Sequence, residues 1–228
     1  MSYWYDSFVS SNGKRGKFLT FEGLDGCGKS TQMELLAEVL RRDGLDVITT
    51  REPGGTPTGE KIRSVILDSK TRSLAPMAEL TLMFAARAQH VAEVVRPALE
   101  AGRFVLCDRF TDSSEAYQGG GRQMGSELIL TMHQVVCGDL MPDMTILMDS
   151  DPEASVARAR RRNKANASGG LDENRFERES REFFERVHAA YNVIAVREAA
   201  RVVKVDARRS KEVVHPEIVR AVRERMGG

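Results

Sequence analysis

Apolar and polar positions along the chain fall into two alternating periods. Short apolar runs at 17–22 (KFLTFE), 47–50, 104–107 (FVLC), 145–148 (TILM) and 202–205 (VVKV) have the length and β-branched or aromatic content of buried strands. Between them lie stretches with a helical repeat. The stretch 28–42 places Leu35, Leu36, Val39 and Leu40 on one side, and similar patterns run over 77–99, 127–136 and 182–200. Strands alternating with helices predict an α/β domain with a mostly parallel sheet covered on both faces. With no repeats and no long linker, 17–228 reads as one domain. Two of the apolar runs end at an aspartate, Asp108 and Asp149. In a parallel sheet that is the end facing the ligand crevice.

Composition narrows the classes. Among 228 residues, 34 Lys+Arg stand against 33 Asp+Glu, a formal net charge of +1, which argues against a general binder of nucleic acid or of acidic membrane. Hydrophobic residues at 41% and charged residues at 29% exclude wholesale disorder. No apolar run approaches the roughly 18 residues that span a bilayer. Cys27, Cys107 and Cys137 form neither a C-x-x-C pair nor a disulfide framework, so a reduced, cytoplasmic protein is expected. Residues 1–16 have no secretory pattern and read as a poorly ordered extension. The other reading is an aromatic arm, carried by Tyr3, Trp4, Tyr5 and Phe8, that docks on the body or on a second subunit.

The sharpest chemical signal is Gly23-Leu24-Asp25-Gly26-Cys27-Gly28-Lys29-Ser30, followed by Thr31. It fits G-x-x-x-x-G-K-[ST] between a predicted strand and a predicted helix. Glycines let successive backbone N–H groups curl around a phosphate, and the helix behind points its positive end at the anion. Lys29 is expected on the terminal phosphates and the Ser30 hydroxyl on Mg²⁺. The motif predicts nucleoside-triphosphate binding without saying what is done with it. The guanine-reading N-K-x-D of a regulatory GTPase is missing, because Asn163-Lys164-Ala165-Asn166 lacks the aspartate.

Other segments suit a second, acceptor pocket. Arg51-Glu52-Pro53-Gly54-Gly55-Thr56 follows the second strand as a sharp turn. Asp108-Arg109-Phe110 leaves the third strand, where a carboxylate can hold the waters of magnesium and an arginine can clamp a phosphate. Residues 112–122 (DSSEAYQGGGR) bring hydroxyls, an amide and an aromatic ring suited to a base and a sugar. Arg158, Arg160, Arg161 and Arg162 crowd one helix stretch, with 163–170 (NKANASGG) after them. They read as a solvated helix face, an RNA contact or a lid folding arginines over phosphates and expelling water.

Together these segments resemble bacterial thymidylate kinases. The resemblance runs from residue 17 to about the C-terminus and rests on 22–31 (EGLDGCGKST), 51–56 (REPGGT), 108–114 (DRFTDSS), 116–119 (AYQG) and 175–177 (RFE). It implies a nucleoside-monophosphate-kinase fold, a five-stranded parallel sheet flanked by helices with an arginine-rich lid at about 158–175, and a homodimer. It implies transfer of the γ-phosphoryl of ATP to dTMP with Mg²⁺, the metal held by Ser30 and, through water, Asp108. For dTMP it implies Asp25 at the 3′-hydroxyl, Arg63 and Arg109 at the phosphate, and Arg87 at thymine O4. Ser114 and Gln118 would line the base, Tyr117 would crowd the 2′ position, and Glu52 and Pro53 would complete the site. Lys29, Arg109, Arg158, Arg160 and Arg162 are then the expected catalytic groups, the lid arginines supplying the charge that a P-loop arginine supplies in the eukaryotic subgroup, where this chain has Gly26. Glu177 either orients the lid or pairs with Arg175. The family's thymine-stacking aromatic stands four residues before the Arg87 position, which is Met83 here; Phe84 is the expected replacement, although it also shares an apolar stripe with Leu80, Ala88 and Val91 that suits a core role. The runner-up is another small P-loop kinase with a different nucleotide or deoxynucleoside acceptor.

Overall fold

The computed structural model describes residues 15–71, 74–166 and 175–226, the side chains of 162–166 excepted. Five parallel strands, β1 (Phe18–Glu22), β2 (Val47–Arg51), β3 (Phe104–Asp108), β4 (Met144–Asp149) and β5 (Val202–Asp206), lie in the order β2-β3-β1-β4-β5. The expected runs are all present, and four of them extend by one residue to a charged end: Arg51, Asp108, Asp149 and Asp206. The central strand β1 is buried along its whole length, as a strand covered on both faces must be. Its pleat sends Leu19 and Phe21 to one face, against α1 (Lys29–Arg42) and α9 (Lys211–Met226), where Leu36, Leu40, Ile218 and Val222 close the core. Phe18 faces the other way and packs with Val95, Leu99, Val105 and Phe110.

Because β1 sits between β3 and β4, its carboxyl end opens at the point where successive connections diverge, the usual ligand crevice of such sheets. The register brings Phe21 opposite Asp108 and Glu22 opposite Leu147, so the chain leaving β1 lies beside the Asp108-Arg109 corner. Helix α2 (Pro57–Leu67) follows β2. The long stretch predicted at 77–99 is α3 (Pro76–His90), a π-helical turn (Val91–Val95) and α4 (Arg96–Glu100). Pro97 has no N–H for the helix ladder, and the preceding turn absorbs the mismatch by bonding Arg96 N–H to the Val91 carbonyl.

After β3, the short α5 (Thr111–Ser114) runs into a second π-helical segment (Glu115–Gly121), then α6 (Ser126–Cys137). Helix α7 (Pro152–Asn166) follows β4, and α8 (Arg181–Arg197) precedes β5. The 115–121 segment lies close against α8: a Cβ on Gly120 would sit 2.6 Å from Ala190 Cβ. Of the predicted extension, residues 1–14 lie outside the described residues. Gly16 is already docked, its N–H 2.7 Å from the Leu99 carbonyl, and Arg15 pairs with Asp143 at 3.3 Å. Residues 167–174 of the expected lid also lie outside the described residues.

Candidate active site

The loop between β1 and α1 borders a cleft that Asp25, Gly26, Gly28, Lys29, Ser30 and Thr31 line. Gly28, at φ +99°, opens α1 with no side-chain cap and no acidic residue in the first turn, which leaves its leading N–H groups for an anion. Helix α2 differs, since Thr56 Oγ1 accepts from Gly59 N–H at 2.9 Å. Lys29 is folded back, its ammonium donating to the carbonyls of Gly23 (3.1 Å) and Leu24 (2.9 Å). Gly26 has φ +80°, and a Cβ there would lie 2.3 Å from the Ser155 carbonyl oxygen and 2.9 Å from Ala159 N, so α7 rests directly on the loop. Arg158 of that helix donates to the Gly26 carbonyl at 2.9 Å.

Ser30 and Asp108 meet across the loop. The Ser30 hydroxyl donates to Asp108 Oδ2 at 2.7 Å, and Asp108 Oδ1 is buried without a protein partner. A hydroxyl beside a carboxylate with a spare oxygen is a donor set of hard oxygens, which fits Mg²⁺. Among the described residues no cluster of three or more His, Cys, Asp or Glu side chains could hold a metal by itself.

Arg109 turns the corner after β3 in the left-handed region, at φ +76°, where a side chain is strained. Its N–H donates to the Phe21 carbonyl at 2.9 Å, and the next N–H, of Phe110, to Glu22 Oε1 at 2.8 Å, so two bonds to β1 hold the corner. The guanidinium donates to Asp25 Oδ1 (2.8 Å) and Ser113 Oγ (2.8 Å) and stands over the Tyr117 ring, 5.0 Å from its centre. Burial works against its charge, but Asp25, followed by the tyrosines and Asp108, outweighs burial and keeps the group firmly cationic. Behind it, Glu22 Oε2 accepts from Ser113 Oγ at 2.5 Å and from Tyr191 OH at 3.0 Å. Burial, then the charge of Asp112, pushes the Glu22 carboxyl up to about 7, against the pull of Arg109.

A second cavity opens beyond Arg109. Arg87 enters it from α3, with Nε donating to Glu52 Oε2 (2.7 Å) and Nη2 to the Phe110 carbonyl (3.1 Å) and Ser114 Oγ (2.9 Å). Its Nη1 is buried without a protein partner. Glu52 Oε1 lies 2.8 Å from His90 Nδ1, and His90 Nε2 lies 2.7 Å from Thr50 Oγ1, which ties Arg87 back to β2. Burial alone would raise the Glu52 carboxyl, but Arg87 and then His90 bring it below the usual range. The Glu52–Pro53 bond is cis, and Arg63 Nη1 donates to the Pro53 carbonyl at 3.0 Å. Leu67, Met83 and Phe176 form an apolar wall, facing a polar set of Arg87, Ser114, Tyr117 and Gln118. The cleft along the glycine-rich loop and this cavity share Asp25, Glu52, Arg63 and Arg109.

Comparison with known proteins agrees with this arrangement. The family model described as "Thymidylate kinase" matches residues 21–218. The chain belongs to the thymidylate kinase family. It is 53% identical over 192 residues to the thymidylate kinase of Pseudomonas fluorescens, covering 84% of this chain and 88% of that one. It is 47% identical over 212 residues to that of Desulforapulum autotrophicum, covering 92% of each. The crystal structure of thymidylate kinase from Ehrlichia chaffeensis superposes with a TM-score of 0.72 at 30% identity, covering 92% of this chain and 99% of that one.

Within this thymidylate kinase fold most of the expected residues converge. Asp25, Lys29, Ser30, Thr31, Arg63, Asp108 and Arg109 line the loop-side cleft, and Asp25, Glu52, Pro53, Arg63, Arg87, Arg109, Ser114, Tyr117 and Gln118 line the cavity. Phe84 does not. It is buried with Leu80 and Ile129, beneath the Arg87 guanidinium, which stands 4.6 Å from its ring centre, and Met83 takes the cavity wall. Both residues fall on the Arg87 side of α3, and packing on α6 claims the larger, fully apolar one. Arg160 also departs from expectation. Its guanidinium donates to the Glu177 carbonyl (2.8 and 2.5 Å), holding the cavity-lining Phe176–Arg178 turn rather than the loop. The Arg162 side chain lies outside the described residues. Arg175 pairs with Glu79 at 2.7 Å, not with Glu177. Sequence reading assigned no role to Glu22, Glu79 or Tyr191; their chemistry depends on contacts 39 to 169 residues away along the chain.

Proposed function

We propose that this chain transfers the γ-phosphoryl of ATP to dTMP, giving dTDP. The observation that carries the reading is the common wall of Asp25, Glu52, Arg63 and Arg109 between a triphosphate-type loop and a base-sized cavity. In-line transfer needs donor and acceptor phosphates to meet at such a wall. In this reading Lys29 leaves its two carbonyls for the donor phosphates. Ser30 and, through water, Asp108 would hold Mg²⁺, which would supply positive charge to the donor phosphates. Arg109 and Arg63 hold the acceptor phosphate, and Asp25 the 3′-hydroxyl. No general base is required, because the acceptor oxygen is already anionic near neutral pH. Arg158 adds charge from above the loop, with Arg162 assigned the same part by resemblance and Arg160 clamping the cavity rim.

Arg87 Nη1 is a donor awaiting an acceptor, which suits thymine O4 and opposes the amino group of cytosine. The acceptor screen follows directly: ADP release from Mg·ATP with dTMP, dUMP, dCMP, AMP and thymidine. dTMP is expected to stimulate strongly and dUMP weakly, since one methyl is worth about 1 kcal/mol. An enzyme stimulated most by another acceptor, or by none, would refute the assignment. Met83→Ala is expected to raise the dTMP KM with little change in stability. Phe84→Ala is expected to cost about 3–5 kcal/mol of folding stability. Thermal melts and KM values for the pair check this, and the reverse pattern would put Phe84 on the base.

The working unit in this reading is a homodimer in the cytoplasm. Val65, Met77, Leu130 and Val135 expose apolar side chains on α2, α3 and α6. These helices pack in sequence, α2 on α3 and α3 on α6. Exposed apolar side chains on three packed helices are what a protein partner would cover. Sedimentation is expected to give twice the mass of the chain, and a monomer at high concentration would exclude the dimer. No helix among the described residues is long and apolar enough to cross a membrane.

A further inference from the structure

Glu79 is a carboxylate with no exposure at all, placed at the start of α3 one wall behind the cavity. Its two oxygens receive four donors. Oε1 accepts from Gln118 Nε2 (2.8 Å) and Arg122 Nε (3.2 Å); Oε2 accepts from Arg122 Nη2 (3.0 Å) and Arg175 Nη2 (2.7 Å). Two arginines keep this group ionised in a place where burial alone would neutralise it. An ionised carboxylate only accepts hydrogen bonds. The carboxamide of Gln118 therefore has one orientation open to it, with its NH₂ toward Glu79. Its oxygen is then the end left for a ligand, on a side chain that lines the cavity with Arg87 and Ser114.

We infer that Glu79 is a specificity-determining positioning residue, which fixes the Gln118 carboxamide with its oxygen presented to the base. The inference deepens the dTMP reading and rests on it. An acceptor at Gln118 beside a donor at Arg87 matches thymine, which offers an N3–H donor next to its O4 acceptor. Cytosine offers the reverse pair, an N3 acceptor next to an amino donor. A site that leaves buried polar groups unpaired with the wrong base discriminates more strongly than one that senses volume. Glu79 also binds this orientation to the rim, because Arg175 follows the expected lid and shares the same carboxylate.

The test measures kcat/KM for dTMP and dCMP at saturating Mg·ATP in the full-length wild type, Glu79→Gln, Gln118→Ala and the double variant. A neutral amide at position 79 both donates and accepts, so the Gln118 carboxamide is free to turn. The dTMP:dCMP ratio is expected to narrow about tenfold in Glu79→Gln. It is expected to narrow similarly in Gln118→Ala, with no further narrowing in the double variant. Equal loss on both acceptors, or an effect of Glu79→Gln that persists without Gln118, would overturn the inference in favour of a structural role. If Glu79→Gln does not fold, Gln118→Ala decides, and an unchanged ratio there overturns it. A wild type inactive on dTMP defeats the underlying reading; a dTMP-selective wild type beside an unchanged Glu79→Gln defeats this inference alone.

Discussion

Arg109→Ala is expected, on the dTMP reading, to lower kcat/KM for dTMP by about three orders of magnitude, with turnover and acceptor binding damaged together. The size follows from what the side chain faces. Its guanidinium is already fixed by Asp25, Ser113 and the Tyr117 ring, so no reorganisation is needed when the phosphate arrives. Removing it takes away a preorganised charge and also the guanidinium that bonds Asp25 at 2.8 Å, the carboxylate assigned to the 3′-hydroxyl in the proposed reading. Arg109→Lys keeps the charge but loses the planar fork, and is expected to fall between the two. Alanine inherits φ +76° with the two bonds to β1 still available, so the corner is expected to keep its path while the lost bonds to Asp25 and Ser113 lower the melting temperature. Steady-state kinetics with dTMP varied, alongside a thermal melt, separate these effects. Near-normal turnover in a folded variant would remove Arg109 from the reacting phosphates.

Gly26→Ala is expected to reduce ATP-dependent turnover about a hundredfold or more, and Gly26→Arg at least as much. The added Cβ has nowhere to go. It would stand 2.3 Å from the Ser155 carbonyl and 2.9 Å from Ala159 N, both main-chain atoms of α7, on a backbone already in the left-handed region. Either the loop uncurls or α7 lifts away, and each loses part of the phosphate cradle and the Arg158 contact with the Gly26 carbonyl. By the resemblance drawn from the sequence, the eukaryotic subgroup carries an arginine at this place. Here the space above the loop belongs to the helix that brings Arg158. Nucleotide binding by calorimetry and dTMP-stimulated ADP release would check both variants. Wild-type ATP affinity and turnover in Gly26→Ala would mean that α7 yields freely.

The parts of the site that sequence made legible are local. The glycine-rich loop was readable because its strand, glycines, lysine and helix are contiguous, and the Asp108-Arg109 corner because a strand end in a parallel sheet points one way. The five strands were readable from apolar runs for the same reason. What stayed hidden depends on distant packing. Met83 and Phe84 occupy neighbouring positions on one side of α3, and only contact with Leu80 and Ile129 decides which is core. Arg160 and Arg158 are two residues apart on α7, yet one reaches the Phe176–Arg178 turn and the other the loop. The π-helical segment at Glu115–Gly121 has no periodic signature, and the close approach of α8 to its glycines exists only in the assembled fold. Glu79 and Tyr191 look in sequence like ordinary helix residues; their buried hydrogen bonds exist only in the assembled fold.

The bond between Arg87 and Glu52 gives the acceptor cavity a polarity along its length. At the base end the arginine's charge is cancelled by a partner 2.7 Å away, so a neutral heterocycle meets hydrogen-bond directions without a net field. At the other end Arg63 and Arg109 share the wall with Asp25, while Glu52 is already taken up by Arg87 and Glu177 also lines the cavity. In the proposed reading, a molecule neutral at one end and dianionic at the other lies with its phosphate toward Arg63 and Arg109 and its base toward the paired Arg87. The gradient sorts before any atom of the base is read: a nucleoside without its phosphate loses the force that aligns it, and a base carrying its own negative charge loses the reason to lie at the far end.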